Sequence, residues 1–105
     1  MATIDVDEGS AAAPHPASPG DQVVIRLPES PSSGYRWQLD EYDSEVLTPA
    51  GDSFEPAAGA LTGGGGTREF SFVVTKSDHS DVALSLRRAW ETDAAAAQRF
   101  RTTIN

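Results

Sequence analysis

The chain has 105 residues, no cysteine, and a formal net charge of −8 from 16 acidic and 8 basic side chains. Without cysteine there is no disulfide framework, no thiolate nucleophile and no Cys-ligated zinc, and the acidic surplus argues against nucleic acid or an anionic membrane as partner, since both need a basic footprint. The length fits a single domain spanning 1–105, enough to bury roughly 60–70% of its unfolded surface in a core without staples.

The chain opens MATIDVDEG, with neither the basic nor the apolar region of a signal peptide. No run approaches the ~20 apolar residues of a membrane span. The expected location is cytoplasmic, or exported where a leader has been removed. Within the opening, Ile4 and Val6 alternate with Asp5 and Asp7, the period-2 pattern of a half-buried strand. GSAAAPHPASPG at 9–20 is a Pro- and Ala-rich loop, followed by a second strand in which Val23, Ile25 and Leu27 share one face. Tyr35, Trp37 and Leu39 alternate with Arg36, Gln38 and Asp40 in a third strand, expected to turn its aromatics inward.

A fourth strand is faint. Val46, Leu47 and Phe54 surround TPAGD, and 46–61 has room for one or two short strands. Clear alternation returns with Phe70, Phe72 and Val74, then with Val82, Leu84 and Leu86, and finally with Phe100, Thr102 and Ile104. The only helix-like piece is DAAAAQ at 93–98, where Asp93 can cap a single turn. About seven short strands joined by Gly-, Pro- and Ser-rich turns predict an all-β, seven-stranded antiparallel immunoglobulin-like sandwich.

If successive strands reverse direction, the connections after strands two, four and six share one end of the sandwich. Those three connections are the unusual ones: ESPSSG, LTGGGGT and RRAWE. Each also has a plain reading. SPSSG is a turn in which Pro31 fixes φ and Gly34 supplies a conformation other residues avoid, or a stiff outward plug of small residues. The glycines at 63–66 are a flexible connection, or a backbone that can approach another surface closely. Trp37 already serves as the core tryptophan, so Trp90 beside Arg88 has the chemistry of an interface anchor.

Taken together, SPSSGYRW at 30–37, GGGGTREFSF at 63–72 and RRAWE at 87–91 resemble, in order and spacing, the hallmark stretches of the chagasin-like family of cysteine peptidase inhibitors. The resemblance runs from about Gly20 to the C-terminus. It implies the same sandwich, and a tight, reversible inhibitor of papain-like cysteine peptidases whose three loops form a wedge in the active-site cleft. By that resemblance Ser30, Pro31, Ser32, Ser33 and Gly34 lie over the catalytic cysteine of the peptidase. Gly63, Gly64, Gly65, Gly66 and Thr67 touch one wall of the cleft, and Arg88, Ala89 and Trp90 pack on the other. An interface of this kind buries about 800 Å² on each partner.

Four positions depart from the family pattern. Ser30 stands for Asn, Ser32 and Ser33 for two Thr, and Ala89 for the Pro before Trp90. The serines keep hydroxyls but lose β-branched stiffness, and losing the proline frees the loop by roughly 0.4–1 kcal/mol. Inhibition at reduced affinity is the expectation. The same departures suit an alternative, an immunoglobulin-like protein–protein interaction module that has lost the peptidase.

An enzyme is not expected. His15 and His79 fall in connections away from Ser32 and Ser33, which rules out a Ser/His/Asp arrangement there. Asp78, His79 and Asp81 could be weighed as metal ligands, but SDHSD reads as a solvated turn. No metal and no cofactor is predicted, and the chain is expected to act as a monomer.

Overall fold

A computed structural model of the chain describes residues 2–9, 15–29, 34–56, 65–88, 90 and 98–104. Seven strands are present: β1 (Thr3–Val6), β2 (Gln22–Glu29), β3 (Arg36–Glu41), β4 (Leu47–Pro56), β5 (Gly66–Val74), β6 (Ser80–Arg87) and β7 (Gln98–Ile104). They form a four-stranded sheet in the order β1-β2-β5-β4 and a three-stranded sheet in the order β3-β6-β7. That is the strand arrangement of a constant-type immunoglobulin domain. The helix-like segment 93–97 lies outside the described residues, and Gln98 begins β7.

The alternation read in the sequence is the inside–outside alternation of the sandwich. Val23, Ile25, Leu27, Phe70, Phe72 and Val74 from one sheet meet Trp37, Val82, Leu84, Phe100 and Ile104 from the other in one buried cluster. Val6, Val46 and Leu47 complete it. Burying side chains of this size stabilises the fold by about 1.5–3 kcal/mol each.

Strand β4 is ten residues long, well beyond what its sequence signalled. It is an edge strand, with only Leu47 buried and Phe54 partly so. Its register with β5 slips between Pro49 and Gly51. An edge can carry prolines and a bulge because one side of its backbone needs no partner. With one face in solvent and a bulge midway, there is little alternation to read.

One pairing departs from the antiparallel expectation. β1 runs parallel to β2, with Thr3 opposite Gln22 and Val6 opposite Ile25. A parallel neighbour needs a long connection that returns the chain to its starting end, and residues 7–21 supply it. Along the way His15 N–H donates to the Thr103 carbonyl at 3.0 Å, so this segment touches the second sheet. Its return is fixed by Asp21, whose two carboxylate oxygens accept the backbone N–H of Ala2 and of Ser18, each at 2.9 Å.

Those bonds to Ser18 and Ala2 hold the Asp21 carboxyl below its ordinary value of 3.8. A carboxyl depressed in the folded state contributes stability that is complete above its unfolded pKa and is lost as pH falls through the folded one. Asp21→Asn should therefore lower Tm at neutral pH, and the gap to the parent should close as pH is taken below about 3.8. A thermal melt series from neutral to acid pH measures this; a gap constant with pH would show that the charge of Asp21 contributes nothing.

Candidate functional site

Strand directions place three connections at one end of the sandwich. β2, β4 and β6 end there, and β3, β5 and β7 begin there, as the pairs Glu29–Gly66, Gly66–Pro56, Arg36–Arg87 and Leu86–Gln98 require. Of the predicted site residues, Gly34, Gly65, Gly66, Thr67, Arg88 and Trp90 are described at this end. Ser30, Pro31, Ser32, Ser33, Gly63, Gly64 and Ala89 lie outside the described residues.

The stems of the first two loops are joined by a buried ion pair that the sequence analysis missed. Glu29, the last residue of β2, is 4% exposed, and Arg68, near the start of β5, is 8% exposed. Arg68 donates Nε and Nη2 to Glu29 Oε2 at 3.0 and 2.8 Å. Its Nη1 donates to Asp52 on β4 at 2.9 Å, and its guanidinium lies 5.6 Å from the centre of the Phe54 ring. The other carboxylate oxygen of Glu29 accepts the backbone N–H of Trp37 at 2.8 Å, closing the loop between β2 and β3 at its base. The Trp37 indole N–H then donates to the Pro28 carbonyl at 2.8 Å across the same base.

Burial lowers the pKa of Arg68, but the hydrogen bonds to Glu29 and Asp52 outweigh it and hold the guanidinium above its ordinary range. No buried side-chain polar atom is left without a partner among the described residues. The sequence did carry a signal. Glu29 continues the inward positions Val23, Ile25 and Leu27, and Arg68 precedes Phe70 and Phe72 on theirs. Opposite charges at inward positions flanking two loops announce an internal pair.

Two glycines at this end are needed for different reasons. Gly34 has φ of +82°, a conformation that side chains resist, with open space where a Cβ would go. Gly66 is held by crowding instead: a Cβ there would fall 2.3 Å from the Glu55 carbonyl oxygen and 2.6 Å from the Phe54 ring. Within the glycine run, then, Gly66 is a packing residue that lets β4 and β5 close together.

The third loop is tied down by stacking. Tyr35, expected to turn inward beside Trp37, is half-buried and stands outside the core cluster. The Arg88 guanidinium lies 4.7 Å from the centre of the Tyr35 ring and 5.9 Å from that of Trp90. Trp90 itself is 78% exposed, and no other aromatic among the described residues is presented so openly. Arg88 thus links the β2–β3 stem to the β6–β7 loop through two aromatic faces.

The candidate metal ligands sit elsewhere. Asp81 accepts the Thr103 hydroxyl at 2.8 Å, which is the main reason its carboxyl is held below the ordinary value, and pairs with His79 and Arg101 at 3.4 and 3.5 Å. Among the described residues no group of three or more His, Asp or Glu is arranged to hold a metal ion.

Comparison with known proteins bears on the family and the fold. Residues 17–104 match the chagasin family of peptidase inhibitors, family I42. Chagasin of Trypanosoma cruzi is 28% identical over 85 residues, covering 77% of each chain. The crystal structure of the cysteine protease inhibitor EhICP2 from Entamoeba histolytica superposes with a TM-score of 0.85 at 25% identity, over 99% of this chain and 95% of that one. PbICP-C, solved in complex with falcipain-2, shares the fold with a TM-score of 0.57 at 15% identity, over 97% and 85% of the two chains. The chain belongs to the chagasin family of peptidase inhibitors.

Two predictions follow from the stems. Arg68→Met leaves the Glu29 carboxylate buried without its cation and should cost about 3–5 kcal/mol in urea unfolding. Adding Glu29→Gln should restore much of that, because Gln still accepts the Trp37 N–H; a double variant no more stable than the single would refute the pair as a charge interaction. Tyr35→Leu should cost only about 0.5–1 kcal/mol but broaden or shift the 19F resonance of fluorotryptophan at Trp90. Tyr35→Phe should leave that resonance in place.

Proposed function

We infer that the chain is a reversible, tight-binding inhibitor of papain-like cysteine peptidases, and that its three clustered loops occupy the active-site cleft. The observation that carries this reading is the loop end itself. Three connections rich in small residues converge there, the stems of the first two are braced by Glu29, Arg68 and Trp37, and in the third Arg88 stacks between Tyr35 and an exposed Trp90. A groove built to hold an extended substrate backbone admits such small-residue loops. Stems fixed before binding reduce the entropy lost on association and favour slow release.

In this reading the β2–β3 loop, Ser30 to Gly34, lies over the catalytic cysteine. Gly63 to Thr67 meets one wall of the cleft, and Arg88, Ala89 and Trp90 meet the other. The cysteine protease inhibitor from Entamoeba histolytica and PbICP-C bound to falcipain-2 support it as relatives of like fold. Membership of a peptidase-inhibitor family supports inhibition over catalysis, and His15 and His79 adjoin the far ends of β7 and β6.

The test is a titration of active-site-quantified papain with the folded protein. Stoichiometric inhibition at nanomolar concentration is expected, and Trp90→Ala should raise Ki by about 30-fold or more, the effect of removing an interface anchor. No inhibition at tens of micromolar by protein whose circular dichroism shows a folded sandwich would overturn the reading. It would leave a binding module with another partner.

A further inference from the structure

The charge of this protein is not spread evenly. The net −8 is concentrated away from the loop end. Asp21, Asp43, Glu45, Asp78 and Asp81 lie in or beside the connections at the opposite end, against only Lys76 and Arg101 there. The loop end carries Arg36, Arg87, Arg88 and Arg99, with the internal Arg68 set against two acidic residues, Glu29 and Asp52. Glu55 lies at this end on β4, and the β6–β7 connection also contains Glu91 and Asp93, outside the described residues.

Arg36 stands out within this group. It is the first residue of β3, directly after Tyr35, and is exposed. Its cross-strand neighbour is Arg87, and like charges placed opposite each other on a sheet are unfavourable. Arg87 is relieved by Asp40 at 3.1 Å and by the Ser85 hydroxyl at 3.0 Å. Arg88 is engaged with Tyr35 and Trp90. Arg36 projects from the same end with its charge turned to solvent.

We propose that Arg36 is a specificity determinant, and that the peptidase this chain is built to hold carries an acidic rim where its cleft meets the β3–β6 side of the loop end. A protein of this net charge is repelled as a whole by an acidic partner. Offsetting the acids at the loop end with arginines turns that repulsion into orientation, because the partner's field pushes the strongly acidic opposite end away more than it does the loop end. Charges at the rim of an interface act chiefly on the association rate and its salt dependence. The proposal rests on the reading of the loop end as the peptidase-binding surface.

The experiment measures association and dissociation rates against two papain-like peptidases of opposite net charge, at ionic strengths from about 0.01 to about 0.15 M. Against the acidic peptidase, the association rate should fall as salt is added. Arg36→Glu should lower it roughly tenfold at low salt, with little difference left at high salt and Arg36→Gln between. Dissociation should change by less than about twofold, and Lys76→Glu, at the far end, should match the parent. An Arg36→Glu effect that is equal on both peptidases, unaffected by salt, or confined to dissociation would overturn the proposal while leaving inhibition intact. A parent protein that inhibits neither peptidase would overturn the loop-end reading and this proposal together.

Discussion

The loop end depends on one buried carboxylate. Loops of glycine and serine have almost no side chains with which to pack, so their geometry must be set by their stems. Glu29 sets two of them at once: one oxygen takes the Trp37 N–H across the base of the β2–β3 loop, the other takes Arg68 at the root of the β4–β5 loop. Moving two charges out of water is costly, several kcal/mol per ion even after relaxation. Here that cost is offset because each oxygen of Glu29 has a donor, and Arg68 reaches both Glu29 and Asp52. A hydrophobic pair of the same volume could fill the space. It could not also hold a backbone N–H at the mouth of a loop.

The third loop is held differently. Its link to the rest is the face of Tyr35 under Arg88, at a half-exposed site where a cation–π contact is worth about 0.5–1 kcal/mol. That magnitude matches the roughly 0.4–1 kcal/mol of chain freedom released where Ala89 replaces the family proline. The stack therefore compensates for the missing ring to within the precision of either number. The stems of the first two connections are thus fixed by a buried network and that of the third by an exposed stack.

Much of this was legible in the sequence, and the failures have physical causes. Six strands could be read because each has one face in a shared core, and Trp37 and Trp90 sorted correctly into core and surface because only the first lies within an alternating run. Strand β4 was faint because an edge strand with a bulge at Pro49 and Gly51 buries little. The parallel pairing of β1 was hidden because alternation reports which face is buried, not which way a neighbour runs. Tyr35 shared the parity of Trp37 but sits at the strand's mouth, where inward means beneath Arg88 and not into the core. Glu29 and Arg68 passed unnoticed because a charge ending an apolar run is ordinarily read as its solvated end.

The sheet edges, for their part, offer little to an extended partner. An immunoglobulin-like sandwich has four edge strands, any of which could pair with an extended chain. β1 has four residues and is too short to template much. β4 carries Pro49, a bulge and Pro56, which remove donors and twist the edge away. On β3 the Trp37 N–H is already taken by Glu29, and on β7 His15 donates to the Thr103 carbonyl and bridges the strand's end at Ile104. Two edges are thus short or interrupted, and the other two are each taken up at one point, which disfavours strand addition. The same carboxylate that braces the loop stems also takes up a backbone N–H of the β3 edge, so one buried group serves both ends of that constraint.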